Sequence, residues 1–251
     1  MNHRNEDGLE PQSKMMGSPI GYEQAGYAMT CRSYDEYVRM FDLDESALQG
    51  ADVLDIAAGA SSFTAEACQR GVRSVAADPL YGGTAQELVL RGREEIKVST
   101  AKIERTAGQF DWTFYGNPSM HKDRRELALE RFADDFQHRP DRYIAASLPT
   151  LPFEDESFDL VLCSHFLFLY GTQLDAEFHR QALKELLRVC RRGGDLKIYP
   201  LVNLLFQPYP DLGIVLQEVN RDGVSVQQRM SRLPFIPGSD QYLCISKIKR
   251  F

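Results

Sequence analysis

Residues 51–81, ADVLDIAAGASSFTAEACQRGVRSVAADPLY, decide the fold. Val53-Leu54-Asp55-Ile56 is a short apolar run of buried-strand type. Residues 57–61 form a turn of small residues. Residues 63–67 read as a helix, with Ser61 or Ser62 placed to cap its start and Gly71 to stop its end. Residues 74–77 are a second strand, ending at Asp78-Pro79. Strand, turn, helix and strand within about 30 residues is the pattern of a βαβ unit in a parallel sheet.

The same alternation resumes further along. Residues 143–146 and 158–163 are apolar runs of parallel-strand type. A helix is expected over about 175–191, with Leu174, Phe178, Ala182, Leu186 and Cys190 on one stripe and Gly193-Gly194 as its stop. Residues 196–201 read as a strand and LGIVLQEVN, 212–220, as a helix. VSVQQRMS, 224–231, and QYLCISKI, 241–248, read as two last strands around PGSD. Residues 82–142 are too long for an ordinary crossover. Two helix-like stretches there flank QFDWTFYGNPSM, which holds the single tryptophan, Trp112. They predict a helical insertion that acts as a lid. Tyr34, Tyr37, Val38 and Phe41 share a helical face within a 19–49 cap. Residues 1–18 are polar and read as a disordered leader. The 19–49 cap is expected to close over the site, so that deleting residues 1–41 should lower turnover far more than stability.

Composition narrows the functional classes. The chain has 251 residues, 29 Lys+Arg and 36 Asp+Glu, a net charge of −7. That balance argues against a general nucleic-acid binder, which needs a basic face. Lys122, Arg124, Arg125 and Arg131 are a local exception, expected to be a solvated helix face with i, i+4 pairs. No apolar run is long enough to span a membrane and no signal peptide is visible, so the expectation is a cytoplasmic protein. The five cysteines are odd in number and widely spaced, which predicts buried thiols, no disulfide framework and no metal site.

Open parallel sheets bind ligands at the carboxyl ends of their strands. The small-residue turn after the first strand lets a ligand approach the backbone. Asp78 stands nineteen residues beyond Gly59, where a carboxylate can accept both hydroxyls of a ribose. The pattern points to an adenosine-type nucleoside. A dinucleotide dehydrogenase fits poorly, because Asp55 at the start of the turn would repel a pyrophosphate. A carboxylate there suits a cofactor carrying an ammonium and a sulfonium. His165, at the end of the 158–163 run, is the leading candidate for a general base, and His121 is the second. His3, His138 and His179 read as exposed. Cys163, inside an apolar run without a preceding proline, does not read as a nucleophile.

DIAAGAS (55–61), Asp78, LPFEDESFDLVLCSH (151–165) and ELLRVCRRGGDLKIY (185–199) together resemble the class I S-adenosylmethionine-dependent methyltransferases. The resemblance covers roughly residues 50–80 and 143–250. It implies an α/β fold, a doubly wound, mostly parallel seven-stranded Rossmann-like sheet with the helical insertion after the second strand. It also implies S-adenosyl-L-methionine as cofactor. By the same resemblance Asp55, Ala57, Gly59 and Ser61 would line its methionine side. Asp78 would hold the ribose. Leu80, Ser147 and Leu148 would surround the adenine, and Ser164 and His165 would face the reacting end. Arg32 and Tyr37 are expected to contact the cofactor from the cap. Ala57 and Ser61 replace two glycines of the usual turn, and Ser147 replaces an Asp. Cys163-Ser164-His165-Phe166 lacks the Asp/Asn-Pro-Pro-aromatic motif of amine-methylating nucleic-acid enzymes. The expected acceptor is O or N of a small molecule or peptide. The alternative is a protein that binds S-adenosylmethionine or S-adenosylhomocysteine without transferring methyl, as a sensor or partner subunit.

Overall fold

A computed structural model describes residues 21–22, 24, 26–219 and 223–248. The expected leader and His3 lie outside the described residues. Strands β1 (Asp52–Ile56), β2 (Arg73–Ala77), β3 (Tyr143–Ile144), β4 (Phe158–Ser164), β5 (Cys190–Tyr199), β6 (Val224–Met230) and β7 (Gln241–Lys247) form one sheet. Its order is β3-β2-β1-β4-β5-β7-β6. The first five are mutually parallel, and β7 runs antiparallel between β5 and β6. The chain reverses its direction of travel across the sheet between β1 and β4, which is where such sheets bind ligands. Val53, Leu54, Val161 and Leu162 are fully buried, as expected for central strands covered on both faces.

Among the described residues six α-helices surround the sheet: α1 (Tyr34–Met40), α2 (Phe63–Gln69), α3 (Ala85–Arg105), α4 (Pro118–His138), α5 (Ala176–Val189) and α6 (Leu212–Val219). Helices α3 and α4 are the two helices of the insertion. They pack closely because residue 92 is glycine: a Cβ there would stand 2.7 Å from a Leu129 methyl. Phe132 and Phe136 of α4 join Tyr81 and Tyr143 in an aromatic cluster beside β3.

Several local expectations need correction. Helix α5 ends at Val189, and Gly193-Gly194 lie inside β5, not at a helix stop. Phe158 pairs with Cys190 but Leu160 pairs with Asp195, so β5 bulges there. A Cβ on Gly194 would come 2.5 Å from the Asp159 carbonyl oxygen, so glycine lets the bulge press on β4. His179 is fully buried, not exposed: its ring nitrogens lie 2.7 and 3.0 Å from the Asp175 and Leu167 carbonyl oxygens. The inward stripe of α5 is His179, Ala182, Leu183 and Leu186, one position round from the stripe read in the sequence. Ser62 occupies the N-cap of α2 without capping it; the Phe63 N–H donates to Ser61 Oγ instead. Four of the cysteines are buried and Cys68 is half-buried. Burial pushes the Cys163 thiol up to about 12.

The four cations of α4 do not share one solvated face. Lys122 pairs with Glu126 within the helix. Arg124 lies over the Phe114 ring, Arg131 reaches Glu66, and Arg125 is buried against Ser99. Helix α1 is also no detachable cap. Tyr37, Met40 and Phe41 are fully buried and pack with Phe63, Tyr199 and Tyr242. Removing residues 1–41 would open the core, so its effect on turnover could not be separated from its effect on stability.

Candidate active site

Asp78 closes the carboxyl end of β2. Its Oδ2 accepts from the Gly59 N–H at 3.0 Å and its Oδ1 from the Leu80 N–H at 2.9 Å. One carboxylate therefore ties the turn after β1 to the turn after β2. Burial holds its carboxyl above the usual range, against the pull of those two N–H groups and of Arg91. Each oxygen keeps a lone pair for a further donor. Gly59 has φ +58°, and a Cβ there would stand 2.9 Å from the Thr30 carbonyl oxygen. The segment around Thr30 lies directly on the turn: the Ala60 N–H donates to Thr30 and the Ser62 N–H to Arg32.

A cavity of about 240 Å³ lies at these strand ends. Ala57, Asp78, Leu80, Ser147, Leu148 and His165 line it, as six of the twelve residues named from the sequence. A second cavity, of about 80 Å³, adjoins it, with Ala28, Thr30, His165 and Tyr170 common to both linings. Five described non-glycine residues have left-handed backbones, and three of them, Ala57, His165 and Phe206, line these two cavities. Such conformations cost about 1–2 kcal/mol each and persist where surrounding structure enforces them, often at functional sites. A broader surface groove of about 940 Å³ between α3 and α4 lies away from the strand ends.

The other predicted residues stand behind the walls. Asp55 is buried; its Oδ1 accepts from the Tyr37 hydroxyl at 3.0 Å, and its Oδ2 has no partner. Burial holds its carboxyl well above the usual range, against the Tyr37 hydrogen bond and with the Asp78 charge adding. An approaching cation would reverse that shift. Ser61 donates to the Arg32 carbonyl oxygen, and Gly59 and Ser164 sit below the cavity surface. Arg32 lines the second cavity only. The small-residue turn, the Asp78 carboxylate and the unpartnered Asp55 oxygen fit a nucleoside cofactor carrying a cationic amino acid part.

Between the two cavities lies a buried polar cluster that the sequence reading missed. Arg32 Nη1 donates to Glu36 at 3.0 Å and to the Tyr115 hydroxyl at 2.9 Å. Arg32 Nη2 lies 3.3 Å from His165 Nε2. A guanidinium only donates, so Nε2 accepts, and Nδ1 carries the proton toward Ser164 Oγ at 2.8 Å. Burial and the Arg32 charge push His165 well below its ordinary value, so the ring is neutral. The Arg32–Glu36 spacing of four residues was legible as an ion pair; that Tyr115 and His165 join it was not.

His121 is 1% exposed, and neither ring nitrogen has a partner. It stacks on Phe235 and meets Tyr115 edge-on. Burial pushes it down to about 2, with Arg125 and Arg32 adding. A base with a depressed folded value stays neutral in the fold while the unfolded chain takes up a proton below 6.5. Stability from this group is therefore full at neutral pH and is lost as pH falls below 6.5. His121→Phe keeps the ring stacking and removes the titration. Between pH 6.5 and pH 5 its unfolding free energy, relative to wild type, should rise by about 1.5–2 kcal/mol in total. Denaturant titrations of both proteins at pH 7.5, 6 and 5 measure this, and parallel curves would refute it.

The sheet order defines a Rossmann-like α/β protein, with the small-residue turn and the Asp78 carboxylate beside a cavity at its switch point. A methyltransferase-domain family model matches residues 115–198. An uncharacterized protein of Methanocaldococcus jannaschii is 30% identical over 188 residues, 74% of this chain and 83% of that protein. Among solved structures, an S-adenosylmethionine-dependent methyltransferase candidate from Methanococcus maripaludis is 16% identical, with a TM-score of 0.45 over 87% of this chain and 84% of that one. The 1,6-didemethyltoxoflavin-N1-methyltransferase of Burkholderia thailandensis is 14% identical, with a TM-score of 0.45 over 86% and 81%. The chain carries a Rossmann-like methyltransferase domain and shares a family with the M. jannaschii protein. Among the described residues no helix is long and apolar enough to cross a membrane, and no cluster of metal-ligating side chains occurs.

Proposed function

We propose that the protein methylates an oxygen or nitrogen of a small molecule held in the second cavity. The observation that carries this reading is the shared wall at Ala28, Thr30, His165 and Tyr170. It sets an enclosed, ring-lined space beside the expected reacting end of the cofactor cavity. At about 80 Å³ that space suits a small ring or one side chain, not a folded surface or a nucleic-acid strand.

Asp78 accepts from the ribose hydroxyls, Leu80 and Leu148 flank the adenine, and Ser147 accepts from its amino group. Asp55, through its free oxygen, offsets positive charge on the methionine part. The bound cofactor supplies a methyl group already activated by its sulfonium. The chain's part is then alignment and exclusion of water. His165 serves as a neutral hydrogen-bonding wall residue. Arg32 holds its Nε2 and its proton affinity is low, so it suits an acceptor that arrives with a free lone pair better than one needing a base.

The test supplies purified enzyme with methyl-labelled S-adenosylmethionine and a cell extract. Label is expected in the dialysable, small-molecule fraction. Label confined to protein or nucleic acid would overturn the small-molecule reading.

A further inference from the structure

Among the described residues, the walls of the second cavity carry buried hydrogen-bonding groups without partners. Arg125 is 6% exposed, yet no carboxylate of the described residues lies within ion-pair distance of it. Its hydrogen bond runs to Ser99 Oγ, one turn below Glu95 on α3. Arg32 is 8% exposed, and its Nε has no partner although Glu36 and Tyr115 occupy Nη1. His121 adds two unpartnered ring nitrogens. All three side chains line this one cavity. Glu95, the carboxylate in its lining, is half-buried and pairs with neither arginine. Buried donors without acceptors are costly, and native structures keep them where a ligand or water completes them. Tyr22, Phe110, Phe206 and Phe235 give the lining an aromatic part, and Ile103, Leu204 and Ile236 an aliphatic one. Phe235 stacks on both His121 and Phe110, so ring and donors meet at one side chain.

We propose that this cavity binds the acid group of a small aromatic acid. The oxyanion sits on Arg125, Arg32 Nε and His121, and the ring lies among Phe110, Phe206 and Phe235. The inference rests on the reading that the second cavity takes the methyl acceptor, and it names that acceptor's class. A planar guanidinium matches an oxyanion in a way that a neutral amide does not. Arg125 belongs to α4 and does not line the cofactor cavity, so it can be changed without touching that site.

The experiment is calorimetric titration of the full chain, first with S-adenosylhomocysteine, then with benzoate, phenyl phosphate and benzamide in its presence. Trp112, the single tryptophan, packs edge-on against His121 and Phe235, so its fluorescence reports the same cavity. Benzoate or phenyl phosphate is expected to bind and to shift the emission, about tenfold or more tighter than benzamide. Whichever anion is tighter identifies the acid as carboxylic or phosphoric. Arg125→Gln should weaken the anion about tenfold or more, Arg125→Lys should restore part of that, and neither should move the S-adenosylhomocysteine affinity. Equal binding of benzoate and benzamide, no loss in Arg125→Gln, or no anion binding by a protein that binds S-adenosylhomocysteine would each overturn the proposal. A protein that binds the anions but not S-adenosylhomocysteine would keep this site and overturn the cofactor-cavity assignment instead.

Discussion

Glu36→Ala is expected to destabilise the protein by about 3–5 kcal/mol at neutral pH, the cost of leaving a buried cation without its partner. Glu36 is fully buried. Its Oε1 accepts from Arg32 at 3.0 Å and from Tyr115 at 2.5 Å, and its Oε2 from the Ser33 N–H at 2.7 Å and the Ser33 hydroxyl at 2.9 Å. The Ser33 N–H bond, together with the Glu36 N–H donating to Ser33 Oγ, closes the capping box that starts α1. Burial alone would raise its carboxyl, but the Arg32 charge and these donors outweigh it, and the net shift is downward. A carboxylate with a lowered folded value contributes stability that is present above its ordinary value of 4.5 and is lost as pH falls. The gap between wild type and Glu36→Ala should therefore be full at pH 7 and shrink below about pH 4.5. The double variant Arg32→Met with Glu36→Leu removes both charges and should recover about half of the loss or more, since apolar replacement of a buried pair is often neutral. Denaturant unfolding at pH 7 measures all three proteins. A loss under about 1 kcal/mol in the single variant would show that water, not Glu36, balances Arg32.

Asp78→Ala is expected to weaken both S-adenosylmethionine and S-adenosylhomocysteine by roughly 100-fold or more. Two ribose hydroxyls donating to a carboxylate are together worth about 3–6 kcal/mol. The variant also frees the Gly59 and Leu80 N–H groups that Asp78 now holds, so the turn itself loses its tie. Asp78→Asn keeps one acceptor oxygen and should lose roughly tenfold. Calorimetry on the three proteins, with unfolding curves beside it, separates binding from folding. Affinities within threefold of one another, about the scatter of context, would remove Asp78 from the cofactor site.

The parts of the fold set by local pattern were legible. The β1–turn–α2–β2 unit follows from Val53-Leu54-Asp55-Ile56, the small residues after it and Gly71, because a strand buried on both faces must be continuously apolar. Asp78 was legible as a strand-end carboxylate for the same reason: few roles other than ligand or turn capping suit an acid there, and it fills the second while free for the first. The phase of α5 was not legible. Its flanking apolar residues Leu174 and Phe178 are only partly buried, and one position of rotation turns His179 inward. Nor was the Gly193-Gly194 bulge: a glycine pair reads alike as a helix stop or a strand irregularity, and the neighbouring Asp159 carbonyl decides.

By itself the sequence determined the class of sheet, the small-residue turn at its switch point and the strand-end place of Asp78. These are encoded over short spans, where hydrophobic period and turn chemistry act locally. Tertiary structure alone decided that Arg32, Glu36, Tyr115 and His165 form one buried polar cluster, and that His121 and Arg125 line the same cavity as Arg32. Three stretches far apart in the chain supply them, and desolvation, which leaves their spare donors facing a cavity, exists only once those stretches have packed.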